Sequence, residues 1–310
     1  MAAAKKVKKT AANSGVVKLS AGVTVGVVVN GTKPGAREVL YQLIEFAQEH
    51  PNLRLLFEKR SGALIKKPGL SACDLAKKSD VLLVAGGDGS LIDVVASVFP
   101  AQVPILGVNI GSLGFLTAVS ETEVEKILPY LAARDLLLSP RLVLETVFHH
   151  ANGSKQVIPC ALNDVAITRA HISRLARIRV EVGEYLVTEF VSDGLIVSTP
   201  TGSTAYSLAA GGPILSPDAD SIVLTPICPH TLTNRALVVG IDQVIRIRIV
   251  KQPGVPAPGV QFDGRCGGNL RTHEWLEIKP AKAKVQLAYL PHSDFYRVLR
   301  QKLKWSGASV

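Results

Sequence analysis

Apolar residues along the chain fall into two rhythms, and the change between them divides the molecule. GVTVGVVVN (Gly22 to Asn30) is a continuous β-branched run closed by Asn-Gly, the pattern of a strand buried on both faces. Pro34 then opens a stretch in which Val39, Leu40, Leu43, Ile44 and Phe46 recur at helical spacing until Pro51. Further strands are expected over Leu53 to Glu58, Val81 to Ala85 and Pro104 to Asn109, with helices over Leu91 to Phe99 and Glu121 to Ala133. Strand alternating with helix predicts an α/β domain with an open, mostly parallel sheet over residues 21–138.

From residue 139 the period becomes two. Arg177 to Val182 and Val244 to Ile249 alternate apolar with charged positions, and turns recur at short intervals, which predicts a mainly β domain over 139–289. Arg246 and Arg248 on one strand face read as solvated sheet surface sooner than as a binding strip. Ser293 to Lys304 sets Phe295, Val298, Leu299 and Leu303 at helical spacing, so a last helix within 290–310 is expected to return to the first domain. No fixed-period repeat is present.

A length of 310 residues and 47% hydrophobic content suit two packed domains and exclude a disordered chain or a stapled mini-protein. The net charge of +10 points first to an anionic partner. Half of that excess, however, is Lys5, Lys6, Lys8, Lys9 and Lys18 in a segment without acids, so residues 1–20 read as a flexible basic tail. KKVKK leaves organellar or nuclear addressing open, while the default reading is a cytoplasmic protein. Cys73, Cys160, Cys228 and Cys266 show neither a CxxC pair nor zinc-ligand spacing. The charge-free run from Val94 to Ser120 is broken by Pro100 and Pro104, so no membrane span is expected.

The sharpest local chemistry is VLLVAGGDGSL (Val81 to Leu91), where Gly86, Gly87 and Gly89 surround Asp88 between a buried strand and a helix, with Ser90 following. Glycines there admit a phosphate to the backbone, and the helix terminus offers free amides. No Gly-Lys-Ser/Thr follows, so this is not a Walker A loop. Asp88 would repel phosphate unless it accepts a hydroxyl proton or faces a magnesium ion, and it could equally cap the helix. A second glycine turn, NIGSLGFLT (Asn109 to Thr117), follows the next strand at the same sheet edge, where open α/β sheets bind ligands.

GGDGSL at 86–91, NIGSLGFLT at 109–117, LND at 162–164, SDGLIVSTPTGSTAYSLAAGGPIL at 192–215, LTPICPHTLTNR at 224–235 and FDGR at 262–265 together resemble the NAD kinases, in order and in spacing. The resemblance implies transfer of the γ-phosphate of ATP to the 2′-hydroxyl of the adenosine ribose of NAD, giving NADP. It implies that Asp88 is the base and touches the dinucleotide with Gly89, while Gly86, Gly87, Gly89 and Ser90 meet the phosphates of ATP. It further implies that Asn163 and Asp164 hold the adenine and ribose of NAD, where the family usually carries Glu in place of Asp164.

Phe115, Asp193, Thr201, Thr204, Ala205 and Tyr206 are then expected to line the dinucleotide site, with Asp193 near its nicotinamide half. Asp263 and Arg265 either close the site from the β domain or form a hairpin turn with its own ion pair. His230 would at most orient a nearby loop. No tight acid cluster is present, so magnesium, or another divalent cation, is expected to arrive on ATP and be held by phosphate oxygens and water. The family is usually dimeric or tetrameric.

Rival functions are a kinase preferring NADH, a lipid kinase of the same superfamily, and a nucleic-acid-binding protein. A lipid kinase calls for an apolar acyl pocket, whereas block 192–215 is polar and glycine-rich. Nucleic-acid binding would use the charge, but aromatics are 5% and no RNA- or DNA-binding signature occurs, so neither nucleic acid nor membrane is an expected partner.

Overall fold

The computed structural model describes residues 22–111, 114–117, 119–170, 174–250 and 255–305; the expected basic tail at 1–20 lies outside them. The first half of the chain runs β1 (Val23–Val29), α1 (Ala36–Glu49), β2 (Leu53–Phe57), α2 (Lys59–Leu64), α3 (Ala72–Lys78), β3 (Val81–Gly86), α4 (Asp88–Val98), β4 (Ile105–Asn109), β5 (Val119–Ser120), α5 (Val124–Ala133) and β6 (Leu137–Arg141). β1, β3 and β4 are the solid apolar runs of the sequence, and they form the centre of one sheet in the order β2-β1-β3-β4. These strands pair in parallel, which is why both faces are buried: α1 and α5 cover one face through Leu40, Leu43, Ile127 and Leu131, and α3 and α4 cover the other through Leu75, Leu91 and Val95.

α2 and α3 have no counterpart in the periodic reading, because each is too short to repeat an apolar stripe. Caps define them instead. Glu58, expected to end the second strand, accepts the amides of Arg60 and Ser61, and Ser71 accepts the amide of Asp74. The charge-free run from Val94 to Ser120 divides between α4, β4 and β5, and no helix among the described residues is long and apolar enough to cross a membrane.

The second half contains β7 (Leu144–His149), β8 (Lys155–Ala161), β9 (Asp164–Thr168), β10 (Ala176–Val182), β11 (Tyr185–Ser192), β12 (Gly194–Ser198), α6 (Tyr206–Ala209), β13 (Ser221–Ile227), β14 (Leu237–Gly240), β15 (Ile245–Ile249), β16 (Gly259–Phe262), β17 (Arg265–Asn269), β18 (Trp275–Pro280), β19 (Val285–Tyr289) and α7 (Phe295–Leu303). Two antiparallel sheets, β11-β10-β15-β18-β7-β8 and β14-β13-β12-β9-β16-β17, share one core containing Ile178, Ile247 and Leu276 from the first and Ile167, Leu195 and Leu224 from the second. Arg246 and Arg248 lie on the solvated face: Arg248 pairs with Glu181 at 3.2 Å and covers Trp275, and Arg246 donates to the carbonyl of Gly183 at 2.8 Å.

The chain re-enters the first sheet earlier than position 290, and as a strand. β19 joins β4 in parallel, with β6 antiparallel beyond it, and α7 follows, with Lys302 5.7 Å from the Phe115 ring. A third core group ties the halves together, since Val143, Cys160 and Leu162 pack among Leu82, Leu91, Ile105 and Leu287. The two glycine turns approach that group through Leu91 and Leu116, and its Leu162 leads into β9.

Candidate active site

β3 ends at Gly86, and α4 begins two residues later with Asp88 itself, so the helix starts earlier than the apolar spacing from Leu91 implied. Gly87 is the N-cap, and its carbonyl accepts the amides of Ser90 and Leu91. The first-turn amides of a helix have no acceptor within it, so this turn faces the cleft with free donors and the positive end of the helix dipole. Among the described residues a side chain added at Gly87 or Gly89 would meet nothing within 4 Å, whereas one at Gly86 would strike Ser90. Gly87 and Gly89 thus leave room for a ligand, while Gly86 is small because Ser90 packs there, its hydroxyl accepting from Asn30 at 3.1 Å.

Asp88 does not cap its own helix. Its carboxylate reaches across to the second glycine turn, where one oxygen accepts the amide of Phe115 at 2.8 Å and the other that of Leu116 at 3.1 Å. That corrects the capping alternative. The bridge requires a glycine at 114, because a Cβ there would overlap the carboxylate. Each oxygen keeps a further lone pair, so the group can still accept a proton.

Asn163 and Asp164 open β9 under three backbone bonds to one side chain. Asp263 accepts the amides of Leu162 at 2.9 Å, Asn163 at 2.7 Å and Asp164 at 3.1 Å. Asp263 sits at the tip of the β16–β17 hairpin, where Arg265 pairs with it at 3.3 Å. For Asp263 and Arg265 the hairpin with its own ion pair is therefore present, and the Asp263 carboxylate also fixes the Asn163 turn. Burial pushes the Asp164 carboxyl up to about 7, with the Asp263 charge adding to the shift. Burial likewise raises Asp263, against the lowering effect of its three amides and Arg265.

The segment after β12 folds over the same wall. Thr199 bonds both sides of the turn, its amide to Asn163 and its hydroxyl to Leu162, and Gly202 packs so closely on the Asn163 backbone that a Cβ would overlap it. Thr201 is buried with its hydroxyl unpartnered among the described residues, Thr204 donates back to the Thr201 carbonyl at 3.2 Å, and Ala205 precedes the exposed ring of Tyr206. Burial raises the Tyr206 phenol, and the charges of Asp164, Cys228 and Asp193 add to the shift. Asp193 is not beside Asp164. Their strands pair Ser198 with Asp164 and Gly194 with Thr168, which puts Asp193 opposite Arg169 and about 17 Å further along, and its carboxylate meets Arg169 at 3.0 Å. His230 contributes its backbone amide to the Val191 carbonyl.

Three further residues stand at the site without having been singled out. Gly114 and Gly202 lay inside the quoted blocks, and their small size could have marked them. Arg141, whose guanidinium donates to the Tyr289 hydroxyl at 2.8 Å, carried no signal, because strand pairing brings the two together across 148 positions.

Two family models match the chain, the ATP-NAD kinase N-terminal domain over residues 25–136 and the ATP-NAD kinase C-terminal domain over 162–290. The NAD kinase of Desulforamulus reducens is 36% identical over 284 residues, covering 91% of this chain and 97% of that protein. The NAD kinase of Moorella thermoacetica is 38% identical, covering 92% and 90%. Among solved structures, yeast NADH kinase complexed with NADH superposes with a TM-score of 0.84 at 24% identity, over 94% of this chain and 89% of that one. An NAD kinase from Archaeoglobus fulgidus in complex with ATP gives 0.70 at 20% identity, over 92% and 100%. At such identities these two likenesses are of fold alone.

Proposed function

The chain belongs to the NAD kinase family and phosphorylates NAD with ATP, and we propose that Asp88 is the group that takes up the proton released in that reaction. In this reading the 2′-hydroxyl oxygen of the adenosine ribose attacks the γ-phosphorus, the bond from that phosphorus to the β,γ-bridging oxygen breaks, and ADP leaves. The hydroxyl proton passes to the Asp88 carboxylate, giving NADP. The observation that carries the reading is the position of that carboxylate. Two amides of the neighbouring turn hold it still, beside two glycines with open space in front of them.

Phosphoryl transfer asks a protein mainly for positioning and charge neutralisation. The open turn at Gly87 and Gly89, with Ser90, supplies amides and a helix dipole for the phosphates of ATP. Asn163 presents an amide suited to a purine edge, Asp164 a carboxylate suited to a ribose diol, and Phe115, Thr201, Thr204, Ala205 and Tyr206 the wall against which NAD lies. Asp193, further along the wall, belongs to the nicotinamide half, and Asp263 with Arg265 positions the Asn163 turn. Among the described residues no three His, Cys, Asp or Glu side chains converge. A magnesium ion would therefore be held by the triphosphate and water, with Asp88 as its nearest carboxylate, and would supply charge neutralisation there.

The same reading makes the protein a cytoplasmic source of NADP and a homodimer or homotetramer. Exposed apolar residues near the β14 edge, Leu232, Leu237 and Val238, support the oligomer, and light scattering tests it. For the reaction, purified protein with ATP, magnesium and NAD should form NADP. Absence of product with NAD, alongside product with NADH, would reverse the choice of acceptor.

A further inference from the structure

Outside residues 1–20 the chain carries 30 Lys and Arg against 25 Asp and Glu, and most of that surplus of five lies in one short stretch. Between Arg54 and Asp80 there are seven Lys and Arg against Glu58, Asp74 and Asp80, a surplus of four. All seven bases are exposed. The three acids are already engaged: Glu58 accepts the amides of Arg60 and Ser61, Asp80 accepts that of Thr24 at 2.7 Å, and Asp74 accepts from the Ser71 hydroxyl at 2.6 Å. Among the described residues none of the seven bases forms an ion pair, whereas on the sheet face of the β domain Arg179 and Arg248 share Glu181.

Part of this stretch borders a groove of about 780 Å³ along β2, the edge strand of the first sheet. Leu55, Leu56 and Leu70 are half-buried in its lining, with Arg54, Lys67 and Lys78 exposed beside them and Lys67 5.9 Å from the Phe57 ring. In a parallel ladder alternate residues bond to the same neighbour. Glu58 donates to the Val27 carbonyl of β1, so Leu56 and Arg54 face β1 as well, while Leu55 and Phe57 turn their backbone groups outward. The Phe57 carbonyl accepts the Leu70 amide at 2.8 Å, which closes one end of the groove. Leu55 keeps an outward amide and carbonyl that no described residue meets, and such an edge is a template for a further strand.

We propose that this edge receives an extended acidic segment of a partner protein, which adds to β2 as a strand at Leu55 while its carboxylates meet Arg54, Lys67 and Lys78. The charge selects the occupant. The basic segment 1–20 of this chain is repelled, and a second copy setting β2 against β2 would bring like charges together. A membrane surface or a nucleic-acid duplex would meet the outer cations and leave the Leu55 edge unused, whereas an extended peptide engages both. None of these residues belongs to the phosphoryl-transfer machinery, so the partner would localise the enzyme without entering its chemistry.

The probe is a short fluorescein-labelled peptide alternating Glu with Val, titrated by anisotropy into the full chain at low salt. It should bind, and the same peptide N-methylated at every residue, which keeps the charge but donates no backbone hydrogen bond, should bind about tenfold more weakly. Lys67→Glu combined with Lys78→Glu should also weaken the unmethylated peptide by about tenfold or more. Both side chains are exposed, so the circular dichroism and the kcat for NADP formation should not change. If that variant fails to fold, Arg54→Glu replaces it, with the same loss expected. Absence of peptide binding, equal binding of the two peptides, or undiminished binding to the folded variant overturns the site. Binding of phosphatidylserine vesicles or of a DNA duplex in place of the peptide, lost in the same variant, overturns the peptide as the occupant.

Discussion

Asp263 binds the main chain of Asp164 twice: the Asp263 amide donates to the Asp164 carbonyl at 2.9 Å, and the Asp164 amide donates to the Asp263 carboxylate at 3.1 Å. The hairpin that carries Asp263 thereby becomes the floor of the turn that presents Asn163 and Asp164. An acidic side chain under another acid is tolerable because Leu162 and Asn163 also donate to it and Arg265 lies beside it.

Asp263→Asn tests that floor. An amide side chain must turn its NH2 toward one of the three backbone donors, so stability should fall by about 1–3 kcal/mol, read from denaturant midpoints. KM for NAD should rise more than KM for ATP. Equal stability of variant and wild type would show that the three amides do not depend on the charge.

The raised Asp164 carboxyl gives a pH dependence of definite sign. Its folded value of about 7 stands above the roughly 3.9 of an unfolded chain, so between these values the folded protein holds the extra proton. The contribution of this group to stability is complete below the lower value and is lost as pH rises through about 7. Asp164→Asn should flatten the decline of the unfolding midpoint over that window without removing it, because Asp263 is raised in the same direction. If ribose hydroxyls bind the ionised carboxylate, KM for NAD in the wild type also falls as pH climbs through the same value. An unchanged slope in the variant would assign the titration to another group.

Asp88→Asn should lower kcat by about 10²- to 10⁴-fold, the usual worth of a positioned base, while a nucleotide still binds. Single-turnover kinetics with ATP and NAD measures this. Near-normal turnover would remove Asp88 from the proton-transfer step.

Gly114→Ala and Gly202→Ala probe the two walls separately. The first places a methyl group against the Asp88 carboxylate and should depress kcat; the second pushes on the Asn163 backbone and should raise KM for NAD. Kinetics that show the reverse pairing would mean the carboxylate and the Asn163 turn have been given each other's roles.

The fold was legible wherever a repeat spanned enough residues. The solid runs at β1, β3 and β4 and the alternating ones at β10 and β15 appear where the two rhythms put them. α2 and α3 escaped because a helix of one or two turns has no apolar period to detect, although Ser71 and Asp74 form a readable cap pair for α3. The return of the chain was placed too late for a related reason. β19 has the composition of the strands before it, and nothing local says that its partners are β4 and β6 rather than a neighbour in the β domain.

Residue types and their order along the chain were enough to specify two domains, two glycine turns at one sheet edge, and the blocks that mark an NAD kinase. Apart from the resemblance they left Asp88 a helix cap, a metal neighbour or a base, and they said nothing of Arg141 or Tyr289. Those matters turn on hydrogen bonds between residues far apart in sequence, such as Asp88 with Phe115 and Arg141 with Tyr289. Periodicity reports which face of a strand or helix is buried, because that depends on near neighbours. Which acceptor a carboxylate finds, and which guanidinium is left short of one, is decided only when distant strands pair and close a cavity around them.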